Sequence, residues 1–231
     1  MKINQSRFNP LEAIPDIKHT FILRHSKLPV NLYSKNKALE VLMPYHEEGI
    51  KSLGYSVNDV SVAEQVHGDQ VHIVDAATGL RDPIPNVDGL ITFQKNLLLG
   101  IYVADCCAVY IADKYSRAVA LVHSGKKGSK LSVVKKVLML MNANGVDSDD
   151  LVVQLSPCIR PPAYEVDFAS WIRKDCLECG VLANSIHDNL ECTSQNLEAY
   201  YSYRREKGMT GRMLALIGIG GEDVECRSDD F

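Results

Sequence analysis

Cys106 and His123 stand at the two ends of one apolar run, "CCAVYIADKYSRAVALVH". The segments "CCAVYIA" and "AVALVHS" read as strands, and "DKYS" reads as the turn between them. Folded back antiparallel about residues 114–116, they bring Cys106 and His123 near one another at the open end, within a register step or two. A thiolate beside an imidazole serves two chemistries. It ligates a metal, or it forms a nucleophile with its base. The residue types leave both open.

Asp105 adds to the case for a site. A carboxylate is costly in a core unless paired, so "ADC" marks where the strand reaches a surface or cleft. Asp105 is a candidate there for moving protons. Cys107 has the opposite strand parity and reads as core. His67 precedes Gly68, where the backbone can kink, but spacing alone does not bring it to the hairpin. His72 reads as surface or core. Cys176 and Cys179 form a single C-x-x-C late in a predicted helix, so they read as a helix face packing inward rather than a zinc or redox motif. The "GIGG" at 218–221 lacks the helix and lysine of a phosphate loop. Arg204 and Arg205 follow aromatic residues in "YYSYRR", so at least one must face inward or line a groove. The rigid guanidinium fork suits phosphate or carboxylate there.

The elements that must position these residues alternate between periods. "KNKALEVLMPYHEEGIKSLG" has helical spacing, with an interruption expected at Pro44. "VSVAEQVHGDQVHIVD" predicts a strand with Val60, Val62 and Val66 on one face, a kink at Gly68 and a second strand. "VDGLITF", "LLLGIYVAD", "AVYIAD", "RAVALVH" and "DLVVQLS" read as strands. "KLSVVKKVLMLMNANG" predicts an amphipathic helix with Leu131, Val134, Leu138 and Met141 on one stripe and Asn144-Gly145 at its end. "DFASWIRKDCLECG" predicts a helix capped by Asp167 and stopped near Gly180. "AYYSYRRE" and "GRMLALIGI" predict a closing β-hairpin. The whole reads as an α/β domain with a mixed sheet and interspersed helices.

The chain has 231 residues, 46% of them hydrophobic and 23% charged, enough to build a real core. One domain over residues 1–231 is the expectation. A net charge of -4 and a pI near 6.0 argue against a nucleic-acid or membrane-surface binder. The clusters "SGKKGSK" and "SYRREKG" can still hold a small anion. "MKINQSRFNPLEAIPDIKHT" lacks the apolar region of a secretory signal, and the stretch around Leu97–Ala104 is too short to span a bilayer. Seven cysteines without a disulfide framework point to the reducing cytoplasm.

The segments "EQVHGDQV", "VDGLIT", "YVADCCAVYIAD", "AVALVHSGKKG", "LSPCIRPPAYEVD" and "YYSYRREKGMTGRMLALIGI" follow one another as in the laccase-domain purine nucleoside phosphorylase family, formerly labelled multicopper polyphenol oxidoreductase. The chain resembles that family over roughly residues 60–219, and the linked Q-x-H-G, A-D-C and V-H-x-G motifs carry the resemblance. It implies a fold similar to cytotoxic-necrotizing-factor-type cysteine hydrolases. It also implies one zinc held by His67, Cys106 and His123, with copper as the alternative metal. The implied partners are a purine nucleoside and phosphate, and the implied reactions are phosphorolysis of adenosine, inosine or guanosine and deamination of adenosine. Arg204 and Arg205 match a stretch lining the family's site. Gln65, Lys127 and Arg24 complete the candidate substrate contacts. A monomer or homodimer is expected, with no nucleic acid and no membrane as partner.

Two departures stand out. The family usually has Ala-Gly-Trp-Arg-Gly after its V-H histidine, and this chain has Ser124-Gly125-Lys126-Lys127-Gly128. Near the N-terminus the family's Thr-Thr-Arg-x-Gly-Gly and Ser-Leu-Asn-Leu segments are reduced to Arg24 with Asn31-Leu32. Other functions compete with the nucleoside one. A cysteine hydrolase would use Cys106 on an amide or ester, with His123 as base. A copper phenol oxidase is opposed by the small complement of seven histidines and the lack of any H-x-H pair, although a His₂Cys set could hold a single copper. A non-catalytic relative is opposed by retention of all three implied ligands. Three such ligands leave a fourth zinc position open, the pattern of a catalytic site.

Overall fold

The computed structural model describes residues 2–30 and 34–221. In chain order these form β1 (Gln5–Ser6), α1 (Asn9–Glu12), β2 (Ile17–Ile22), α2 (Lys35–Lys51), β3 (Val60–Val62), β4 (Val71–Ile73), β5 (Gly89–Thr92) and β6 (Leu97–Val103). There follow β7 (Cys107–Asp113), β8 (Val119–Ser124), α3 (Lys126–Lys130), α4 (Val133–Ala143), β9 (Leu151–Leu155), α5 (Phe168–Glu178), β10 (Ile186–Asp188) and β11 (Met213–Ile219). The strands make a five-stranded sheet, β1-β2-β11-β6-β3, and a six-stranded sheet, β10-β9-β7-β8-β5-β4. Both are mixed: β3 runs parallel to β6, β4 to β5 and β10 to β9, and the other pairs are antiparallel. The α/β class with mixed sheets is therefore the observed one. Among the described residues no helix is long and apolar enough to cross a membrane.

Strands β7 and β8 are buried along their whole length because both faces are covered. Ala108, Tyr110, Val119 and Leu121 share a core with Phe21, Leu98 and Leu214 of the five-stranded sheet. The alternate residues Cys107, Val109, Ile111, Ala120 and Val122 pack with Val137 and Leu138 of α4 and Ile172 of α5. Double coverage explains why these strands read as continuous apolar runs rather than alternating ones. Each Val, Leu or Ile so buried contributes roughly 1.5–3 kcal/mol.

Several local expectations need correction. Helix α2 runs through Pro44 without interruption. Pro44 is exposed, so the carbonyl it leaves without a helical donor lies on the solvent side. The buried stripe of α4 begins at Val133, because Ser132 is left-handed (φ 54) and leaves Leu131 exposed. Asn144 and Gly145 do end that helix. Asp167 caps α5 through the Ser170 amide, while of its cysteines Cys176 is buried and Cys179 only half-buried. Val66 is exposed, not on a buried face with Val60 and Val62. The closing hairpin does not form. Strand β11 is already paired along its length with β2 on one edge and β6 on the other, so no edge remains for residues 199–206, which turn instead.

Candidate metal centre and active site

The site forms where the chain passes from one sheet to the other. Between β3 and β4 the crossing carries Gln65 and His67, and between β6 and β7 it carries Asp105 and Cys106. Gln65 (φ 64), His67 (φ 59) and Asp105 (φ 79) are all left-handed. Non-glycine residues hold that conformation only where surrounding contacts impose it, at about 1–3 kcal/mol each. The third donor, His123, comes from β8, directly opposite Ala108 in register. Cys106 is two residues before Ala108 and so lies on the same face, diagonal to His123. The ligand atoms of His67, Cys106 and His123 all lie within 4.8 Å of one another.

Three buried polar side chains impose this arrangement. Gln65 Nε2 donates to the Tyr102 carbonyl at 2.6 Å, and the Tyr102 amide donates back to Oε1 at 2.8 Å. This clamp ties the His67 crossing to β6. Its amide is therefore engaged by backbone, although Gln65 also lines the cavity described below. Asp105 is likewise engaged at both oxygens. The Thr193 hydroxyl donates to Oδ1 and the Arg204 amide to Oδ2, each at 2.7 Å. Those contacts make Asp105 an anchor for the 203–207 turn as well as part of the cavity lining.

The third is Asp88, wholly buried, which sequence reasoning missed. Its carboxylate accepts from the amides of Val66, His67 and Gly68 at 3.2, 3.0 and 2.6 Å. His123 Nδ1–H donates to Asp88 Oδ1 at 2.7 Å, and the His123 amide donates to the Asp88 carbonyl at 2.7 Å. A carboxylate has no proton to give, so Nδ1 carries the hydrogen and Nε2 is left as the donor atom of the trio. One side chain thus orients His123 and shapes the loop of His67. The available signal was the acid in "VDGLIT", which the desolvation argument applied to Asp105 would also have flagged.

Electrostatics couple the trio. Burial pushes the Cys106 thiol up, but the His123 charge and hydrogen bonds from both histidines outweigh it and hold the thiol at about 6. Burial works against the His123 imidazolium, yet Cys106 and Asp88 raise it to about 9. The protein environment therefore favours a thiolate, the form that ligates metal or attacks an electrophile. Gly125 is required beside it, since a Cβ there would meet the Cys106 sulfur at 2.5 Å. Two imidazole nitrogens and one thiolate within 4.8 Å of one another are a donor set that would fit zinc, and all three residues line one cavity.

That cavity, about 1000 Å³, opens onto His67, Cys106 and His123. Of the sequence candidates, Lys127 and Arg204 line it. Arg24 does not: it pairs with Glu206 at 2.9 Å and lies over the Tyr201 ring. Arg205 does not line it either, and its guanidinium donates to the Ser194 carbonyl at 3.3 Å. Asn31 and Leu32 lie outside the described residues. Arg212, Lys35, Lys130 and Lys207 line the cavity and were missed. Arg212 heads an apolar strand in "GRMLALIGI", where a charge needs the same explanation as Asp105.

The fold and motifs have counterparts among known proteins. A family model described as multi-copper polyphenol oxidoreductase laccase matches residues 31–170 and 166–220. A purine nucleoside phosphorylase of Streptomyces coelicolor is 29% identical over 197 residues, 75% of this chain and 80% of that one. A purine nucleoside phosphorylase of Staphylococcus aureus (strain N315) is 33% identical over 168 residues, covering 60% of this chain and 62% of that one. The crystal structure of YlmD from Geobacillus stearothermophilus superposes with a TM-score of 0.82 at 24% identity, covering 93% of this chain and 94% of that one. The Bacillus licheniformis hypothetical protein YfiH gives 0.77 at 22% identity, over 88% and 92%. With both ligand-bearing crossings and β8 inside the matched residues, the chain belongs to the multi-copper polyphenol oxidoreductase laccase family.

Proposed function

We propose that the chain cleaves purine nucleosides by phosphorolysis at a zinc centre held by His67, Cys106 and His123. The observation that carries this reading is the open-sided trio set in the wall of a cavity that also presents cations and aromatic rings. The names of the Streptomyces and Staphylococcus relatives support the substrate class. Bound zinc supplies a Lewis acid at that wall. Tyr203, exposed in the cavity wall, offers an apolar face to a purine, and Tyr102 adds to the lining. Arg212 stands close enough to Cys106 and Asp105 for their charges to act on it, and burial works against its own charge. Lys35 is pulled down by burial and by Arg212. Two cations that repel one another beside the trio are suited to hold the phosphate nucleophile. A phosphate oxygen bonds C1′ of the ribose, the C1′–N9 bond breaks, and the purine takes the proton.

A Cys106–His123 nucleophile pair would leave the third donor, His67, without a role, and this favours the metal reading over a hydrolase. Adenosine deamination, which replaces the C6 amino group by a water oxygen and releases ammonia, is a second activity that the open side of the trio supports. Zinc-loaded protein is to be incubated with adenosine and phosphate. Adenine with ribose 1-phosphate reports phosphorolysis, and inosine with ammonia reports deamination. If Cys106→Ala retains full product formation, or if no product forms with the wild type, the reading fails.

A further inference from the structure

We propose that the preferred substrate brings its own phosphate, so that the cavity takes a purine nucleoside 5′-monophosphate alongside inorganic phosphate. The inference rests on the nucleoside reading and deepens it. A nucleoside is neutral near pH 7, and one inorganic phosphate is matched by about two cations. The lining holds seven Lys and Arg residues against one carboxylate, Asp105, whose oxygens are both engaged.

These cations fall into two groups. Arg212, half-buried just before β11, and Lys35, exposed at the start of α2, line the cavity from one pair of elements. The other, outer group joins α3 to the 203–207 turn. Lys126 and Arg204 bind the two oxygens of Glu165, at 3.1 and 2.8 Å, and so draw the two segments together. Lys127 and Lys130, three apart on the helix, share a face toward the cavity, and Lys207 completes the group from the turn. Among the described residues, no carboxylate lies within ion-pair distance of Lys127, Lys130 or Lys207. A solvated face would scatter such charges, whereas here they converge on a concave wall that concentrates their field.

Lys127, Lys130 and Lys207 are exposed, whereas Arg212 is half-buried and His123 buried, so the outer group stands nearer the mouth than Arg212 does. A phosphate at the 5′ end of a nucleoside is remote from the C1′–N9 bond and fits that separation. The reaction balances as before. Phosphate bonds C1′, the C1′–N9 bond breaks, and the proton of the attacking phosphate passes to the purine, leaving ribose 1,5-bisphosphate.

Calorimetric binding to the zinc-loaded protein tests this with adenosine, adenosine 5′-monophosphate, ribose 5-phosphate and inorganic phosphate as separate titrants. The monophosphate is expected to bind at least about tenfold tighter than adenosine at low salt, with the advantage shrinking as salt rises. In the double variant Lys130→Gln, Lys207→Gln, that ratio is expected to fall at least about fivefold while inorganic phosphate binds as before. Adenosine binding as tightly as its monophosphate would overturn the proposal and leave the nucleoside reading standing. Neither compound binding would overturn both. A variant that loses inorganic phosphate while keeping the monophosphate preference would also overturn it, because the outer group would then be the nucleophile's site.

Discussion

The β7–β8 hairpin has a buried carboxylate near each end, and the two are satisfied in different ways. At the turn, Asp113 accepts from the amides of Tyr115 and Arg117 and from the Arg117 guanidinium at 2.9 and 2.8 Å. Every partner belongs to the turn itself, and the charge is closed locally. At the open end, Asp88 accepts from three loop amides and from an imidazole. That imidazole has a second nitrogen, and the loop carries a second imidazole. The carboxylate that settles its own charge here leaves two donor nitrogens around a thiolate. For both acids, burial raises the pKa and the partners lower it more, so each lies below the ordinary value. The same physics therefore yields a turn at one end and a ligand cluster at the other. The difference lies in what the donors have to spare: Arg117 has only further N–H groups, one of which goes to Asp150 at 3.1 Å, whereas an imidazole has a lone pair.

Breaking the trio itself is expected to have the largest effect. Cys106→Ala removes the only sulfur donor, so zinc content measured after dialysis should fall from about one per chain toward zero. Undiminished zinc would mean that the cluster at the open end is not the metal site. Removing the charge behind the trio should do less. Asp88→Asn keeps an acceptor for the loop amides but no longer fixes His123 in one tautomer, and zinc affinity in a chelator competition is expected to weaken about 10–100-fold. If Asp88→Asn binds zinc as tightly as the wild type, the contrast drawn between the two carboxylates loses its functional half.

Much of this site was legible in residue types, and some of it was not. The hairpin followed from two apolar runs and a turn, which brought Cys106 and His123 to the open end within a register step or two, and the observed pairing of Ala108 with His123 then puts them on one face. His67 was different. Its approach depends on a crossing between sheets, and no periodicity encodes which sheet a short strand joins. Only the motif resemblance placed it. Asp88 left one signal, an acid at the head of an apolar strand, but its partners are mainly backbone amides, which carry no mark in the sequence. Arg205 and Arg24 matched expectations of type but not of place, since Ser194 and Glu206 hold them away from the cavity. The cations that do line the cavity at 130, 207 and 212 come from a short helix, from the turn at 203–208 and from the residue just before β11.

The smallest expected effect sharpens the comparison most, because it separates stability from metal. Asp113→Asn should cost about 1–2 kcal/mol in urea unfolding at pH 7, a modest figure because Arg117 is half in water. The sign of its pH dependence follows from the lowered pKa. The folded value lies below the unfolded one, so the carboxylate contributes its stability above the unfolded value of about 3.9 and loses it as pH falls through the folded value. Wild type and variant should therefore differ at pH 7 and converge as pH falls below the folded value. Zinc content should be the same in both at neutral pH. Zinc loss in Asp113→Asn matching that in Asp88→Asn would show that strain at the turn reaches the trio through the paired strands, and that the two ends are one unit rather than two.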